Sequence, residues 1–426
     1  MKIKILDKKI LQYPHLKFII FVFLFTTLSG ALRKWVISAS AISNAVLGVQ
    51  IIIPFFFFFL KGATKYTYQQ RNIILALMVY LVMLSLMAAN PSNYTIFHGI
   101  IGFLLHGGFW VAIFTYLRLR KEISIEVLIP LFILVCVGET ILGSIQSQLP
   151  GDAFINRYAV SEGDGAADAY VGDSVRVTGT FSYVSGYSAF LFFYTFLVCA
   201  LIKIKYPIPI VITVFFMGLY GCLISGSRGS FLVYLVTIGI FIGTSINFKE
   251  NYRLIFGSIT SLLVFGLLNF ASGDPLNILD TFGSSVENFE ERSDASQEPW
   301  SDRAFEAIGQ LSNYNGPSPV VGVGLGATYQ GANALFGFNP LLFNVGWEGE
   351  AKRIVIEGGW TLLLMRFILL YYLVAKLKFN WIFKSYVVFL LVFAASIVFN
   401  TYSSFYFLLG IMLLDKVCSL DEPELD

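Results

Sequence analysis

The sequence predicts an all-α polytopic membrane protein with about 12 transmembrane helices. Of its 426 residues, 56% are hydrophobic and only 13% are charged, and the mean hydropathy is +0.73. Soluble domains carry about 25% charged residues, so this composition excludes a soluble enzyme and a disordered chain. The net charge of +2 provides no strong field for a polyanion, which argues against a nucleic-acid partner.

Apolar runs recur along the whole chain, and about 20 apolar residues are needed to cross the hydrocarbon core as a helix. No small-residue cleavage site follows the first run, which therefore predicts a retained helix and not a signal peptide. The segment from Tyr386 to Leu414 is either one bent helix or a hairpin that turns at NTYSS. The predicted spans are 17–32, 41–60, 73–89, 97–117, 125–147, 183–202, 207–224, 229–246, 254–270, 354–375, 385–399 and 401–415.

The distribution of Lys and Arg predicts the orientation of these spans. Cations concentrate on the side that carries the N-terminus, and short cytoplasmic loops are the segments enriched in Lys and Arg. Both termini are therefore expected in the cytoplasm, with 416–426 as a cytoplasmic tail. We treat 1–426 as a single membrane domain, with a medium loop at 148–182 and a large loop at 271–353 on the opposite, outer side.

Seven arginines fall on this outer side, against the usual charge bias, and five of them are candidate anion contacts. Arg33, Arg176, Arg228 and Arg353 lie close to predicted membrane ends, and Arg303 lies within the large loop. A guanidinium group is planar and permanently charged, and it suits phosphate oxygens. The set therefore indicates a site for a pyrophosphate, although each arginine alone could instead reach a lipid head group or a loop carboxylate.

The short turn between two of the spans reads SGSRGS from Ser225 to Ser230. Glycines let the backbone turn and expose its N–H groups, and Ser227 adds a hydroxyl beside Arg228. Such a turn is typical of an anion-binding nest. The alternative is a plain helix hairpin whose arginine contacts a head group.

Several short motifs give the chain a family resemblance. They are Gly30–Trp35 (GALRKW), Arg176–Phe181 (RVTGTF), Ser225–Gly229 (SGSRG), Gly322–Gly326 (GVGLG) and Glu357–Gly359 (EGG). In this order they resemble motifs of the O-antigen ligase and O-antigen polymerase family of bacterial inner-membrane glycosyltransferases. The resemblance covers the chain from about residue 30 to residue 370.

The resemblance implies transfer of a glycan from a polyprenyl-pyrophosphate carrier to a glycan or lipid acceptor in surface polysaccharide synthesis. Membrane lipids and other polysaccharide assembly proteins are the further partners expected, and no cofactor is. Family ligases usually carry a histidine in the outer loop nine residues before the glutamate that matches Glu357, and this chain has Glu348 there. Ligase and polymerase therefore both stay open.

Glu357, Glu350 and Glu348 are the candidate groups for activating an acceptor hydroxyl. Glu350 and Glu357 are two helical turns apart with Arg353 between them, so all three share one face if the helix begins early enough. The alternative is a carboxylate at the start of a helix that pairs with Arg353. The outer segments show no metal-ligand spacing, so arginines are the expected stabilisers of the leaving pyrophosphate.

Two other readings remain. A transporter or flippase would need charged groups within several spans, and Glu139 and Arg366 are such groups. We expect these two to form a buried pair between helices. A non-catalytic component of an assembly complex is the third reading.

His98 and His106 lie among glycines in one span, which indicates a closely packed helix.

Overall fold

A computed structural model describes residues 14–37, 40–60, 68–159, 170–171, 174–245, 283, 318–343, 345 and 349–420. This part of the chain is helical apart from its loops and one short antiparallel pair, β1 (Tyr170–Val171) and β2 (Ser174–Val175). The helices are α1 (Pro14–Ala31), α2 (Ser40–Phe56), α3 (Tyr68–Ala88), α4 (Ile96–Leu119), α5 (Ile129–Ser147), α6 (Val184–Lys203), α7 (Ile208–Ile224), α8 (Arg228–Ser245), α9 (Gln330–Phe336), α10 (Glu350–Lys376), α11 (Trp381–Phe389) and α12 (Thr401–Ser419).

The helices confirm the predicted class of α-helical membrane protein. By length and composition, seven segments among the described residues could cross a membrane, and three shorter apolar helices accompany them. The predicted span 254–270 and most of the large loop lie outside the described residues. The seven segments are Pro14–Val36, Ala41–Phe59, Arg71–Ala88, Ile96–Leu119, Ile125–Ser147, Val184–Lys203 and Glu350–Lys376.

The segment around residue 400 forms two helices and not one bent helix. After α11 the chain makes a π-helical turn over Leu390–Ala394 and then leaves the helix until Asn400. The Asn400 side chain accepts hydrogen bonds from the backbone N–H groups of Tyr402 and Ser403 and caps α12. At the other end, Asp415 of α12 accepts a 2.6 Å hydrogen bond from the backbone N–H of Lys378, just before α11. The two helices therefore form a hairpin.

The core of the bundle is built by α4, α6 and α12. In the most apolar 18-residue stretch of each helix, 78% of the α4 residues and 89% of the α6 residues are buried inside the protein. Helices α6 and α12 approach closely because Gly410 has no side chain, and a Cβ there would lie 2.5 Å from the Phe196 ring. Aromatic rings fill the space around this contact, including Phe190 and Tyr406, whose centroids are 5.3 Å apart. This rigid core fixes the helix ends that carry the polar groups.

The bundle has two distinct ends. The end that we name the loop end is where α1, α3 and α5 finish and α4, α6 and α12 begin, with the 318–349 segment folded against it. Contacts that join these parts include Arg33 to Ser182 and Asn90 to Gly322. The basic end is the opposite one, where α2, α4, α10 and α12 finish and Arg120 bonds the backbone of Lys376.

Helix α10 reverses direction at Gly359. Glu350 and Arg366 are 16 residues apart, which is about 24 Å along a straight helix. Their side chains are nevertheless 3.2 Å apart, and Gly359 has φ +67°, a conformation that favours glycine. The first half of α10 (350–358) therefore rises to the loop end, and the second half (360–376) descends beside it. The predicted span 354–375 lies within this apolar segment, and the structure adds a break at Gly359 that the prediction did not include.

Candidate functional site

Glu357 binds the 318–329 segment to α4. Its Oε1 accepts hydrogen bonds from the backbone N–H of Thr328 at 2.8 Å and from the Thr328 hydroxyl at 2.6 Å. Its Oε2 accepts from the backbone N–H of Gly326 at 2.8 Å and lies 2.9 Å from Nε2 of His106 on α4. The side chain is fully buried. Both carboxylate oxygens are therefore occupied within the protein.

The glycine motif of this segment allows the close contact with α4. Gly326 has φ +78°, and a Cβ there would lie 2.2 Å from the carbonyl oxygen of His98. On the α4 side, a Cβ on Gly102 would lie 2.3 Å from the backbone N of Gly326. The two glycines thus meet backbone to backbone. The sequence predicted a closely packed α4, and this segment is one of its close neighbours, together with α2 and α3.

Thr328 also orients Arg353. The Arg353 Nε donates to the Thr328 hydroxyl at 3.1 Å, and Nη2 donates to the Thr328 carbonyl at 2.7 Å. The guanidinium carbon lies 3.7 Å from the centre of the Phe399 ring, in cation–π contact. Glu357 and Arg353 are therefore linked through a threonine and not by a direct ion pair. No carboxylate forms a salt bridge with Arg353 within the part of the chain that the structure covers.

Glu350 has a different partner. Its Oε1 accepts from Nη2 of Arg366 at 3.2 Å, and its Oε2 accepts from the backbone N–H of Val398 at 2.9 Å. The expected pair of Glu139 and Arg366 is wrong. Glu139 instead accepts hydrogen bonds from the backbone and hydroxyl of Thr180, at 3.0 and 2.6 Å.

Arg33 and Lys34 hold the loop that precedes α6. Arg33 donates from Nε to the Ser43 hydroxyl and from Nη1 to the Ser182 hydroxyl, both at 3.0 Å. The Lys34 ammonium donates to the hydroxyl of Thr178 at 2.9 Å and to the carbonyl of Gly179 at 2.7 Å. The partners of Arg33 are neutral hydroxyl groups, as they are for the Nε of Arg353.

Tyr329 is influenced electrostatically by both Arg33 and Arg353. The pKa of its phenol is raised to about 12, chiefly by burial and also by nearby Tyr183, whereas Arg33 and Arg353 act in the opposite direction. The positive charges of both guanidinium groups thus stabilise the ionised form of the same phenol. We define Arg33, Arg353, Tyr329 and Thr328 as the arginine cluster.

The other predicted anion-binding residues do not join the arginine cluster through a described contact. Arg176 is half-buried, burial lowers its pKa, and its Nε has no hydrogen-bond partner among the described residues. Ser227 accepts from the backbone and hydroxyl of Ser230 at 3.4 and 3.0 Å. The serine therefore caps α8. Arg228 opens that helix, and its side chain lies outside the description, as do Arg303 and Glu348.

Sequence reasoning missed His106, Thr328 and Tyr329 as members of the site. The signal for Thr328 was its position two residues after the last glycine of the Gly322–Gly326 motif. His106 offered only its place in a glycine-rich span. In comparisons with family models, curated proteins and solved structures, the chain matches none.

Proposed function

We propose that this chain is a multi-pass glycosyltransferase of the bacterial inner membrane that moves or polymerises a glycan from a polyprenyl-pyrophosphate carrier. The product is a surface polysaccharide such as an O-antigen, a capsule or an exopolysaccharide. In this proposal the chain spans the membrane about 12 times, both termini are cytoplasmic, and the loop end faces outward. The order of the family-like motifs and the position of the arginine cluster support it.

The observation that carries the proposal is a pair of guanidinium groups at the loop end, each held in direction by hydroxyl groups. Arg33 comes from the end of α1 and Arg353 from the first half of α10, and both act on the same phenol. Hydroxyl groups fix their direction without forming an ion pair with them. When the bond from the sugar to the pyrophosphate breaks, negative charge grows on the leaving oxygen. Fixed cations stabilise that charge without reorganising.

Glu357 acts in this proposal as a positioning residue and does not touch the acceptor. Two of its four hydrogen bonds hold Thr328, and Thr328 in turn orients Arg353. Glu350 is likewise occupied, by Arg366 and Val398. Glu348 stays a candidate base for the acceptor hydroxyl. Arg176, Arg228 and Arg303 stay candidate contacts to the glycan or its pyrophosphate.

The experiment replaces Arg353 in the full chain and measures polysaccharide assembly. Arg353→Ala is expected to lower transfer about 100-fold, the usual effect of removing one charge-stabilising donor. Arg353→Lys should recover part of it, because Lys keeps the charge and lacks the planar fork. The matched control is Arg71→Ala, at an exposed arginine near the start of α3.

The assay compares the glycan profile of a strain lacking the chain with strains carrying each variant at equal membrane level. Single repeats on the final acceptor indicate a polymerase, and long chains left on the carrier indicate a ligase. Undiminished full-length polysaccharide with Arg353→Ala and Arg33→Ala would refute the proposal.

A flippase for a lipid-linked glycan is the second candidate, because buried charges occur in more spans than expected. Arg33, Lys34, Glu139, Glu350 and Arg366 are all buried. Charged groups inside membrane segments mark substrate or ion pathways. Purified chain in proteoliposomes separates the two functions, since a transferase forms product from a carrier already supplied on the loop side and a flippase does not.

A further inference from the structure

The second half of α10 and the start of α11 flank an open cavity near the basic end. Its volume is about 440 Å³, whereas a single water needs only about 10–15 Å³ of such space. On α10 it extends from Phe367 to Ala375, about 12 Å along the helix. On α11 it is lined by one helix face, which carries Trp381, Lys384, Ser385 and Val388. We name this space the basic-end cavity, and it is large enough for part of an alkyl chain.

The rim of the basic-end cavity is aromatic and its less exposed walls are apolar. Tyr371 and Trp381 line it and are 78% and 72% exposed. Trp and Tyr concentrate where membrane helices meet the lipid head groups, because their rings have an apolar body and a polar edge. Leu370 and Val388 are among the less exposed wall residues. The cavity therefore extends from the level of the head groups toward the hydrocarbon.

Two lysines lie at this rim. Lys384 is half-buried in the wall, so its stem can follow the apolar surface while its ammonium reaches the head groups. Lys376 directly follows Ala375, and its ammonium lies 5.5 Å from the centre of the Tyr372 ring. Among the residues that the structure describes, no carboxylate forms a salt bridge with Lys376. The pair favours a lipid with net negative charge over a zwitterionic one.

We propose that the basic-end cavity binds an acyl chain of an anionic phospholipid of the phosphatidylglycerol class, with Lys384 at its phosphate. Contact of the chain with the apolar walls supplies affinity, and the two lysines supply the preference for a negative head group. A second copy of this chain is a poorer occupant, because a symmetric interface would bring the same lysines together.

The basic-end cavity and the arginine cluster lie at opposite ends of the bundle. Ala375 and Trp381 flank the connection from α10 to α11, whereas Arg33 and Arg353 belong to the loop end. The lipid in the cavity is therefore a resident of the surrounding bilayer and not a substrate. Its binding does not depend on glycan transfer.

The test is photo-labelling of the purified full chain in nanodiscs of phosphatidylcholine. The probe is phosphatidylglycerol with a diazirine in one acyl chain, and labelled peptides are mapped by mass spectrometry. We expect labelling of peptides that cover Phe367 to Val388, in spite of the excess of phosphatidylcholine. Unlabelled phosphatidylglycerol should compete, and a phosphatidylcholine with the same diazirine should not label these peptides above the rest of the chain.

A substitution at Lys384 tests the head-group contact. Lys384→Gln removes the charge and should lower the affinity for the probe about fivefold, whereas Lys384→Arg keeps the charge and should retain it. The matched control is Lys17→Gln, at an exposed lysine near the start of α1 at the same end of the bundle, which should leave labelling unchanged.

A substitution at Ala375 tests the chain contact. Ala375→Trp places a large ring in the cavity from an exposed wall position and should lower probe affinity about tenfold. The matched control is Val82→Trp, at a 59% exposed valine on α3. Unfolding midpoints are measured for every variant, and if Ala375→Trp does not fold, the Lys384 variants decide.

Three results would overturn the assignment of the basic-end cavity. The first is labelling spread evenly over the exposed faces of the bundle, or equal labelling by the phosphatidylcholine probe, since either would mean nonspecific contact with the bilayer. The second is labelling of residues 246–317 in place of Phe367 to Val388. The third is unchanged affinity in folded Lys384→Gln or in folded Ala375→Trp. None of these measurements needs an acceptor or turnover, so their outcome is separate from that of the transfer assay.

Discussion

The basic end and the loop end of the bundle use their cations in opposite ways. At the basic end, Arg120 donates to the carbonyl of Lys376 at 2.7 Å and lies 2.8 Å from the buried carboxylate of Asp415. Lys416 donates to the carbonyl of Arg120 at 2.9 Å. Each of these cations closes a helix end or neutralises a carboxylate. These contacts stabilise the fold.

At the loop end, the corresponding contacts are to neutral groups. Arg33 is held by the hydroxyls of Ser43 and Ser182, and Arg353 is held by the hydroxyl and carbonyl of Thr328. Such partners fix the direction of a guanidinium without forming an ion pair with it. The two ends should therefore respond differently to mutation. Substitutions at the basic end should lower stability, and substitutions at the loop end should lower activity.

The largest effect on stability is expected from Asp415→Ala at the basic end. The substitution leaves Arg120, the Tyr116 hydroxyl and the Lys378 backbone without their buried acceptor. Breaking a buried charged pair by removing one partner costs about 3–5 kcal/mol. Thermal unfolding of the purified chain in detergent measures this loss, with exposed Asp152→Ala as the control.

The two-end comparison also predicts that the folded fraction of Asp415→Ala keeps its normal transfer rate per molecule. An unfolding midpoint equal to that of the unchanged chain would contradict the structural role of the basic end. If Asp415→Ala lost transfer while keeping full stability, the proposed difference between the two ends would be contradicted.

Glu357→Gln should give the next largest effect and combine both kinds of loss. A glutamine amide nitrogen cannot accept, so it must face one of the donors from Gly326, Thr328 or His106. We expect a loss of about 2 kcal/mol in the free energy of unfolding. Transfer should fall more than stability explains, because Arg353 loses its alignment through Thr328.

Thr328→Ser is the matched control for Glu357→Gln, since it keeps the hydroxyl that joins Glu357 and Arg353. It should stay close to the unchanged chain in both unfolding and transfer assays. If Glu357→Gln lowered stability and left the rate per folded molecule intact, the positioning role of Glu357 would be refuted.

The sequence predicted helices well where an apolar run coincides with a single straight helix. The span 97–117 corresponds to Ile96–Leu119, and 183–202 corresponds to Val184–Lys203. It located α10 but missed the break within it, because residues on both sides of Gly359 are helical and apolar. Only the backbone reversal at that glycine separates them, and hydrophobic periodicity does not report a positive φ. The adjacent glycines Gly358 and Gly359 were the available signal.

Side-chain partners were harder to predict than helices, because partners depend on which helices are neighbours. Glu139 and Arg366 are both charges within spans, yet they belong to separate clusters, with Thr180 and Glu350 respectively. His106 contacts Glu357 only because the Gly322–Gly326 segment folds back against α4. Residues 251 positions apart in the chain meet there, and no local pattern encodes that contact.

The smallest effect on stability, and the sharpest test of the comparison, is Ser182→Ala. Its hydroxyl accepts from Arg33 Nη1 at 3.0 Å and lies 3.0 Å from the Tyr402 hydroxyl, so the free energy of unfolding should fall by only about 1 kcal/mol. Arg33 keeps its charge and loses one of its two directing groups. Under the proposed function, transfer by the folded chain should therefore fall about tenfold, since a misdirected cation would stabilise the leaving pyrophosphate less.

The matched control for this substitution is Ser85→Ala, at an exposed serine on α3 whose hydroxyl bonds only the carbonyl of Leu81 in the described structure. Neither unfolding nor transfer should change there. Equal transfer rates for Ser182→Ala and Ser85→Ala would mean that the direction of Arg33 does not matter. A guanidinium whose direction is irrelevant would be serving the fold, as Arg120 does, and the contrast between the two ends would be lost.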